Sequence, residues 1–197
     1  METIQTAYMI DLCLRTLGLL FVLFIILYWY FTEKHADKVK PKEKNTKSLK
    51  RIATDALWFI VLLQLTGISI LPFSQNIYLQ IFGAICLVLG TGVCIVARQA
   101  IGTNWTHGAE FQVKKHQTLV THSIYKYIRH PIYTGFFLVV FGAELIANSY
   151  LAFLLLVILV PLMAYQTQQE ERMLTRHFGE AYKSYMKRSK MFVPYFW

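Results

Sequence analysis

Two stretches of this sequence concentrate groups able to do chemistry. One is "NWTHGAEFQVKKHQTLVTHSIYKYIRHPIYTG" (104–135) and the other is "YQTQQEERMLTRHFGEAYKSY" (165–185). In the first, Arg129, His130 and Pro131 stand side by side at the doorstep of an apolar run; in the second, Glu170 and Glu171 follow one. Each has an ordinary reading alone. An arginine anchors a span at the membrane boundary, and proline is favoured in the first turn of a helix. Adjacent glutamates point about 100° apart on a helix, so at most one is expected to face a given pocket. A tight hairpin between the two apolar runs brings residues 129–133 and 166–171 together, a cationic cluster against an anionic one.

The elements that must position these clusters are membrane spans. Of 197 residues, 55% are hydrophobic and 16% charged, with mean hydropathy +0.40. Soluble domains carry about 25% charged residues, whereas a bilayer core about 30 Å thick needs about 20 mainly apolar residues at helical rise. Apolar windows predict helices near 8–31, 53–71, 77–97, 132–147 and 150–166. The fold class expected is all-α, a polytopic membrane helical bundle with about five transmembrane helices. It divides into three N-terminal spans with a basic loop (1–97) and a core carrying both clusters (98–197). The first span runs too long for a signal peptide and carries Asp11 and Arg15. Gly83 and Gly90, seven residues apart, point to close helix packing, and Pro161 predicts a kink in the fifth span.

The formal charge of +9 invites a nucleic-acid reading, and its distribution decides against it. With the N-terminus outside, 19 of the 20 Lys and Arg residues fall on the cytoplasmic side. Only Arg15 is left over, one turn after Asp11, where an i,i+4 pair can form. The charge therefore reads as topology and attraction to an anionic lipid bilayer, with no nucleic-acid partner. The tail 172–188 alternates apolar and basic residues as an interfacial amphipathic segment does, broken near Gly179. Cys13, Cys86 and Cys94 lie inside apolar spans with no CxxC or Cys/His cluster, so no metal site is expected. "GTG" (90–92) lacks the third glycine of a dinucleotide fingerprint. "NWT" (104–106) matches a glycosylation sequon but falls on the cytoplasmic side.

The ordered motifs "NWTH" (104–107), "TLVT" (118–121), Tyr125, "RHPIYTG" (129–135), "EER" (170–172) and "FGEAYKSY" (178–185) resemble those of the isoprenylcysteine carboxyl methyltransferase family. That family belongs to the wider group of membrane phospholipid methyltransferases. The resemblance covers roughly residues 98–194. It implies a membrane-embedded methyltransferase using S-adenosyl-L-methionine in a cytoplasm-facing pocket, closed by the segment before span four and the tail after span five. It further implies cofactor contacts from Gln117, Thr118, Leu119 and Val120, largely through backbone. Tyr125, His130, Pro131, Ile132 and Tyr133 would form the wall, Glu171 the polar end, and Glu110 a further polar contact.

The catalytic pair implied is Arg129, orienting the acceptor or completing the pocket, with Glu171. The acceptor implied is the carboxylate of a prenylcysteine-like lipophilic small molecule or prenylated substrate. Methylating a carboxylate joins an anion to a sulfonium, so charge disappears along the reaction and a half-buried site favours it. Positioning two reactants contributes roughly 7–11 kcal/mol more. Thr167 stands at the substrate position where the eukaryotic prenylcysteine enzymes carry arginine, which leaves a phospholipid amine or a small thiol open as acceptor. Membrane sterol-type reductases using NADPH share the RHPxYxG signature and are a competing reading, as is a scaffold binding lipid headgroups without catalysis. The expected location is a bacterial inner membrane or the endoplasmic reticulum, with the active site facing the cytoplasm.

Overall fold

In the computed structural model, residues 2–34, 44–105 and 117–196 are described. Among them the chain forms six α-helices: α1 (Glu2–Lys34), α2 (Lys44–Leu65), α3 (Ile77–Ile101), α4 (Pro131–Ile146), α5 (Leu151–Phe178) and α6 (Glu180–Arg188). Two 3-10 turns, Gly102–Asn104 and Ser123–Lys126, lead from α3 to α4. No strand occurs among the described residues; two isolated bridges join Pro72 to Ser149 and Ile128 to Lys190. Within α1, α3 and α5, the stretches Gln5–Thr32, Ile77–Asn104 and Leu151–Phe178 are long and apolar enough to cross a membrane. Apolar stretches of α2 (Ile52–Leu65) and α4 are shorter.

The shortness of α4 has a packing reason. It is the central helix, in contact with α1, α2, α3 and α5, and Val139, Val140, Ala143 and Ile146 join Val22, Ile25, Val61, Leu65, Leu87 and Cys94 in the core. Large apolar side chains of α1 and α5 instead face outward, among them Leu20, Leu27, Val157 and Leu162. An apolar exterior of this extent belongs against lipid.

Helices α3 and α4 meet through paired glycines. A Cβ on Gly90 would lie 2.7 Å from the Gly135 carbonyl oxygen, and one on Gly83 would lie 2.6 Å from that of Gly142. The reverse additions at Gly135 and Gly142 meet the backbone of Gly90 and Gly83 as closely. The expected close packing at Gly83 and Gly90 is therefore present, and the glycine ending "RHPIYTG" is one of its four members. Backbone-to-backbone approach of this kind gives dispersion attraction that lipid tails cannot undercut.

At the end where α4 turns into α5, polar groups close the bundle. Arg15 Nε donates to the Asp11 carboxylate at 3.0 Å, the i,i+4 pair expected. Its Nη1 and Nη2 reach the carbonyls of Gln64 at 2.9 Å and Ala147 at 3.0 Å, the closing turns of α2 and α4. A cation at two helix C-termini satisfies orphan carbonyls and the helix dipoles together. Gln80 of α3 donates to Asp11 and to Ile146 O, and Gln64 donates to Glu144. A cavity of about 130 Å³ beside Asp11, Arg15, Ser69 and Asn148 belongs to this end, at the opposite end of α4 from His130.

Two helix ends differ most from the hydropathy reading. Helix α2 stops at Leu65 rather than 71, because Gly67 takes φ +104° and the Gln64 side chain captures the Ile70 N–H at 2.9 Å. Helix α5 runs through Pro161 and past 166 to Phe178. Its polar extension is rich in Gln, Glu, Arg, Met and Leu, all strong helix formers, which a hydropathy window discards. The amphipathic tail does break at Gly179 (φ +57°). Tyr182 and Tyr185 of α6, however, are buried against the protein rather than laid on the bilayer.

Candidate active site

The hairpin brings the two clusters together as expected. Pro131 opens α4 as its first residue with His130 at the cap, and the last turns of α5 stand opposite. Arg129 Nε donates to Glu171 Oε1 at 2.6 Å, and His130 Nε2 lies 3.1 Å from the same oxygen. Tyr133 Oη donates to Glu170 Oε2 at 3.3 Å and accepts from Gln166 Nε2 at 3.2 Å. The Arg129 and Glu171 side chains are only 9% and 11% exposed. A carboxylate this enclosed is retained because charged hydrogen-bond donors meet it.

Adjacent glutamates were expected to send at most one side chain to this pocket; the structure sends both. The His130 ring stands between them, with Nδ1 3.9 Å from Glu170 and Nε2 3.1 Å from Glu171. Nitrogens on two edges of one ring bridge the angle that separates neighbouring helical residues. Glu170 is thus a site residue that the adjacent-glutamate argument did not admit beside Glu171, and Gln166, one turn before it on the same face, reaches the site within the 166–171 stretch expected there.

The third wall is the C-terminal segment. The Arg129 N–H donates to Lys190 O at 2.8 Å, the His130 N–H to Met191 O at 3.1 Å, and the Lys190 N–H to Tyr127 O at 2.9 Å. Arg129 Nη1 also donates to the carbonyls of Met186 and Ser189. Thr134 Oγ1 donates to Phe192 O at 2.9 Å, and the buried Phe192 ring lies 6.1 Å from that of His130. Tyr185 Oη donates to Tyr125 O at 2.6 Å, so the last tyrosine of "FGEAYKSY" holds the turn that carries Tyr125. Burial pushes the Tyr185 phenol up to about 12, and those of Tyr125 and Tyr182 further in the same direction. The i,i+3 spacing of Tyr182 and Tyr185 was visible in the sequence, but the partner of Tyr185 was not.

Arg129, His130, Tyr133 and Glu171 therefore converge, with Pro131 buried beneath them and Ile132 half-buried; the Ile132 carbonyl is approached by Cys94 Sγ at 3.9 Å. Tyr125 joins through Tyr185. Gln117, Leu119 and Val120 are half-buried in irregular chain, and Thr118 is bound to Asn104. Thr167 is fully buried, its hydroxyl donating to the carbonyls of Met163 at 2.9 Å and Ala164 at 3.0 Å. Glu110 lies outside the described residues. No group of three or more potential metal ligands occurs among the described residues.

The site has carboxylates for a cationic ligand, a guanidinium, and an imidazole and phenol for ring contacts, all beside apolar helices. Comparisons with known proteins give the family. The family model for phospholipid methyltransferase matches residues 78–181, which span α3 through the start of α6. Protein-S-isoprenylcysteine O-methyltransferase A of Arabidopsis thaliana is 29% identical over 142 residues, 71% of this chain and 72% of that protein. Protein-S-isoprenylcysteine O-methyltransferase of Dictyostelium discoideum is 33% identical over 117 residues, 59% of this chain and 49% of that one. The chain thus spans about half to nearly three quarters of the length of these two relatives. Among solved structures, the eukaryotic intramembrane Ras methyltransferase isoprenylcysteine carboxyl methyltransferase is similar in fold. Its TM-score is 0.54 at 24% identity, covering 77% of this chain and 54% of that one. A glycine-paired α3–α4 core, a motif-bearing α4 and an α5 bearing Glu170 and Glu171 thus carry the matched segment, and the chain belongs to the phospholipid methyltransferase family.

Proposed function

We propose that this chain transfers a methyl group from S-adenosylmethionine to a lipophilic acceptor that enters from the bilayer, with a prenylcysteine-like carboxylate as the leading acceptor class. The observation that carries this is the meeting of Arg129, His130 and Glu171 where α4, α5 and the C-terminal segment join, within the matched segment. His130, Tyr133, Glu170 and Glu171 would hold the cofactor, with Gln117–Val120 along its edge. Bound S-adenosylmethionine would supply an electrophilic methyl group. The protein's part is positioning: Arg129 fixes the Glu171 carboxylate and fastens the 186–191 segment over it, which excludes water from one side. Arg129 is then a positioning residue, because its Nε donates to Glu171 and its Nη1 to two carbonyls of the C-terminal segment.

A phospholipid amine or small thiol is the second reading, favoured by Thr167. Its buried hydroxyl is spent on its own helix, so this position offers no cation to a carboxylate. We further propose five spans with the site on the cytoplasmic side, on the strength of the cation distribution. A cysteine replacing the exposed Ser74 should then react with impermeant reagents in intact cells, and one replacing Ser48 only with permeant ones; the opposite pattern inverts the orientation. The functional reading is tested by calorimetry of the purified protein with S-adenosylmethionine, S-adenosylhomocysteine and NADPH. One site per chain for the first two is expected, and NADPH binding alone overturns it. A methylation screen of lipid extracts with labelled S-adenosylmethionine then separates ester, amine and thioether products.

A further inference from the structure

The proposed site leaves the end of α1, at Trp29 and Thr32, without a part. Resting on the proposed function, we propose that Asn104 is the positioning residue that sets the Gln117–Val120 segment along the cofactor, carried on a stack of Arg98, Trp105 and Trp29. Asn104 Oδ1 accepts the Thr118 N–H at 2.9 Å, and its Nδ2 lies 3.1 Å from Thr118 Oγ1. Residues 117–121 have no helix or strand to hold them, so the course of this backbone depends on side chains that reach it. Bonding at both oxygen and nitrogen of one amide fixes Thr118 in orientation as well as in place.

Asn104 is itself fixed by a chain of contacts to α1. It ends the Gly102–Asn104 turn, where Gly102 takes φ +52° and the chain leaves α3. Arg98, 7% exposed, donates from Nη1 to Gly102 O at 2.9 Å and from Nη2 to Thr32 O at 3.0 Å. Its guanidinium carbon lies 4.9 Å from the Trp105 ring centroid and 6.0 Å from that of Trp29. The two indoles are 5.5 Å apart. A planar guanidinium donates in its plane to two carbonyls while its face meets an indole; an ammonium has no such plane. The end of α1 thereby sets the turn, and the turn sets Thr118.

The test uses the full chain in detergent, with S-adenosylhomocysteine as the calorimetric probe and thermal unfolding measured in parallel. Asn104→Ala is expected to weaken S-adenosylhomocysteine about tenfold, the scale of one hydrogen bond. Asn104→Asp keeps the oxygen that accepts the Thr118 N–H and should recover affinity to within about threefold. Arg98→Lys should weaken binding by several fold. A merely structural role would lower the unfolding temperature of the alanine variant, leave its affinity unchanged, and show no selective rescue by aspartate. Should the alanine variant not fold, Asn104→Gln, which keeps the amide but extends it by one methylene, carries the same expected loss. Wild-type protein that binds no S-adenosylhomocysteine overturns the proposed function. Wild-type protein that binds it, with the alanine or glutamine variant binding equally well, overturns this inference alone.

Discussion

Replacing Arg129 tests whether the arginine at the threshold of α4 is a membrane anchor or the clamp of the site. Its Nε donates to Glu171 at 2.6 Å, and its Nη1 donates to Met186 O at 3.3 Å and to Ser189 O. Removing one partner of a buried ion pair costs about 3–5 kcal/mol, mostly from the charge left behind. Here His130 Nε2 stays 3.1 Å from the same carboxylate oxygen and offsets part of the loss. We therefore expect Arg129→Ala to cost about 3 kcal/mol, the lower end of that range. A lysine ammonium reaches either Glu171 or the two carbonyls but does not span both as the fork does. One charge-assisted hydrogen bond lost corresponds to about 1.5–3 kcal/mol, and Arg129→Lys should fall near the lower figure. Denaturant titration in detergent micelles measures both losses. Turnover of the lysine variant should fall at least about tenfold, roughly 1.4 kcal/mol in the barrier. A double-mutant cycle with Glu171→Gln should return a coupling of at least about 1 kcal/mol. Wild-type stability and turnover in Arg129→Lys would refute the clamp, since an anchor needs only charge and a long stem.

Three further outcomes follow from the packing. Gly90→Ala places a Cβ 2.7 Å from Gly135 O and should destabilise by about 1–3 kcal/mol. Gly92→Ala, with nothing within 4 Å, should be neutral or stabilising; equal effects of the two on unfolding would contradict the glycine contact. Arg15→Leu strands the Asp11 carboxylate and the carbonyls of Gln64 and Ala147, and should cost about 3 kcal/mol in the same titration; an unchanged midpoint would mean the staple carries no net stability. Burial raises the Tyr185 phenol from its ordinary value near 10 to about 12. A group whose folded pKa is raised adds stability below its unfolded value and loses it as pH climbs through the folded one. Unfolding monitored between about pH 10 and 12 should thus show a loss that is smaller in Tyr185→Phe; identical slopes would remove Tyr185 from that role.

Much of the site was legible because its determinants are local. The short turn between two apolar runs predicted the α4–α5 hairpin, and the hairpin brings Arg129 to Glu171. Pro131 after His130 predicted where α4 begins. Gly83 and Gly90 predicted close packing, although their partners Gly142 and Gly135 did not emerge, since small residues mark a contact without naming what fills it. The reach of α5 to Phe178 stayed hidden because a window tuned to bilayer thickness reads a polar helical extension as tail. The burial of Tyr182 and Tyr185 in α6 stayed hidden because an amphipathic face suits a membrane surface and a protein surface alike.

By itself, then, the sequence determined that the chain is a helical membrane protein, where its charges fall along the chain, and which two clusters meet at the candidate site. Hydropathy, helical period and motif order are properties of neighbours along the chain. Only the tertiary structure decided the partners: that His130 sits between Glu170 and Glu171, that Arg129 ties α5 to residues 186–189, and that Arg15 closes α2 and α4. Each of these joins groups tens of residues apart, and the spacing of residues within one segment does not state which distant donor will satisfy a buried acceptor. That choice is made when the glycine contact of α3 with α4 fixes the central helix and the remaining polar groups must pair around it.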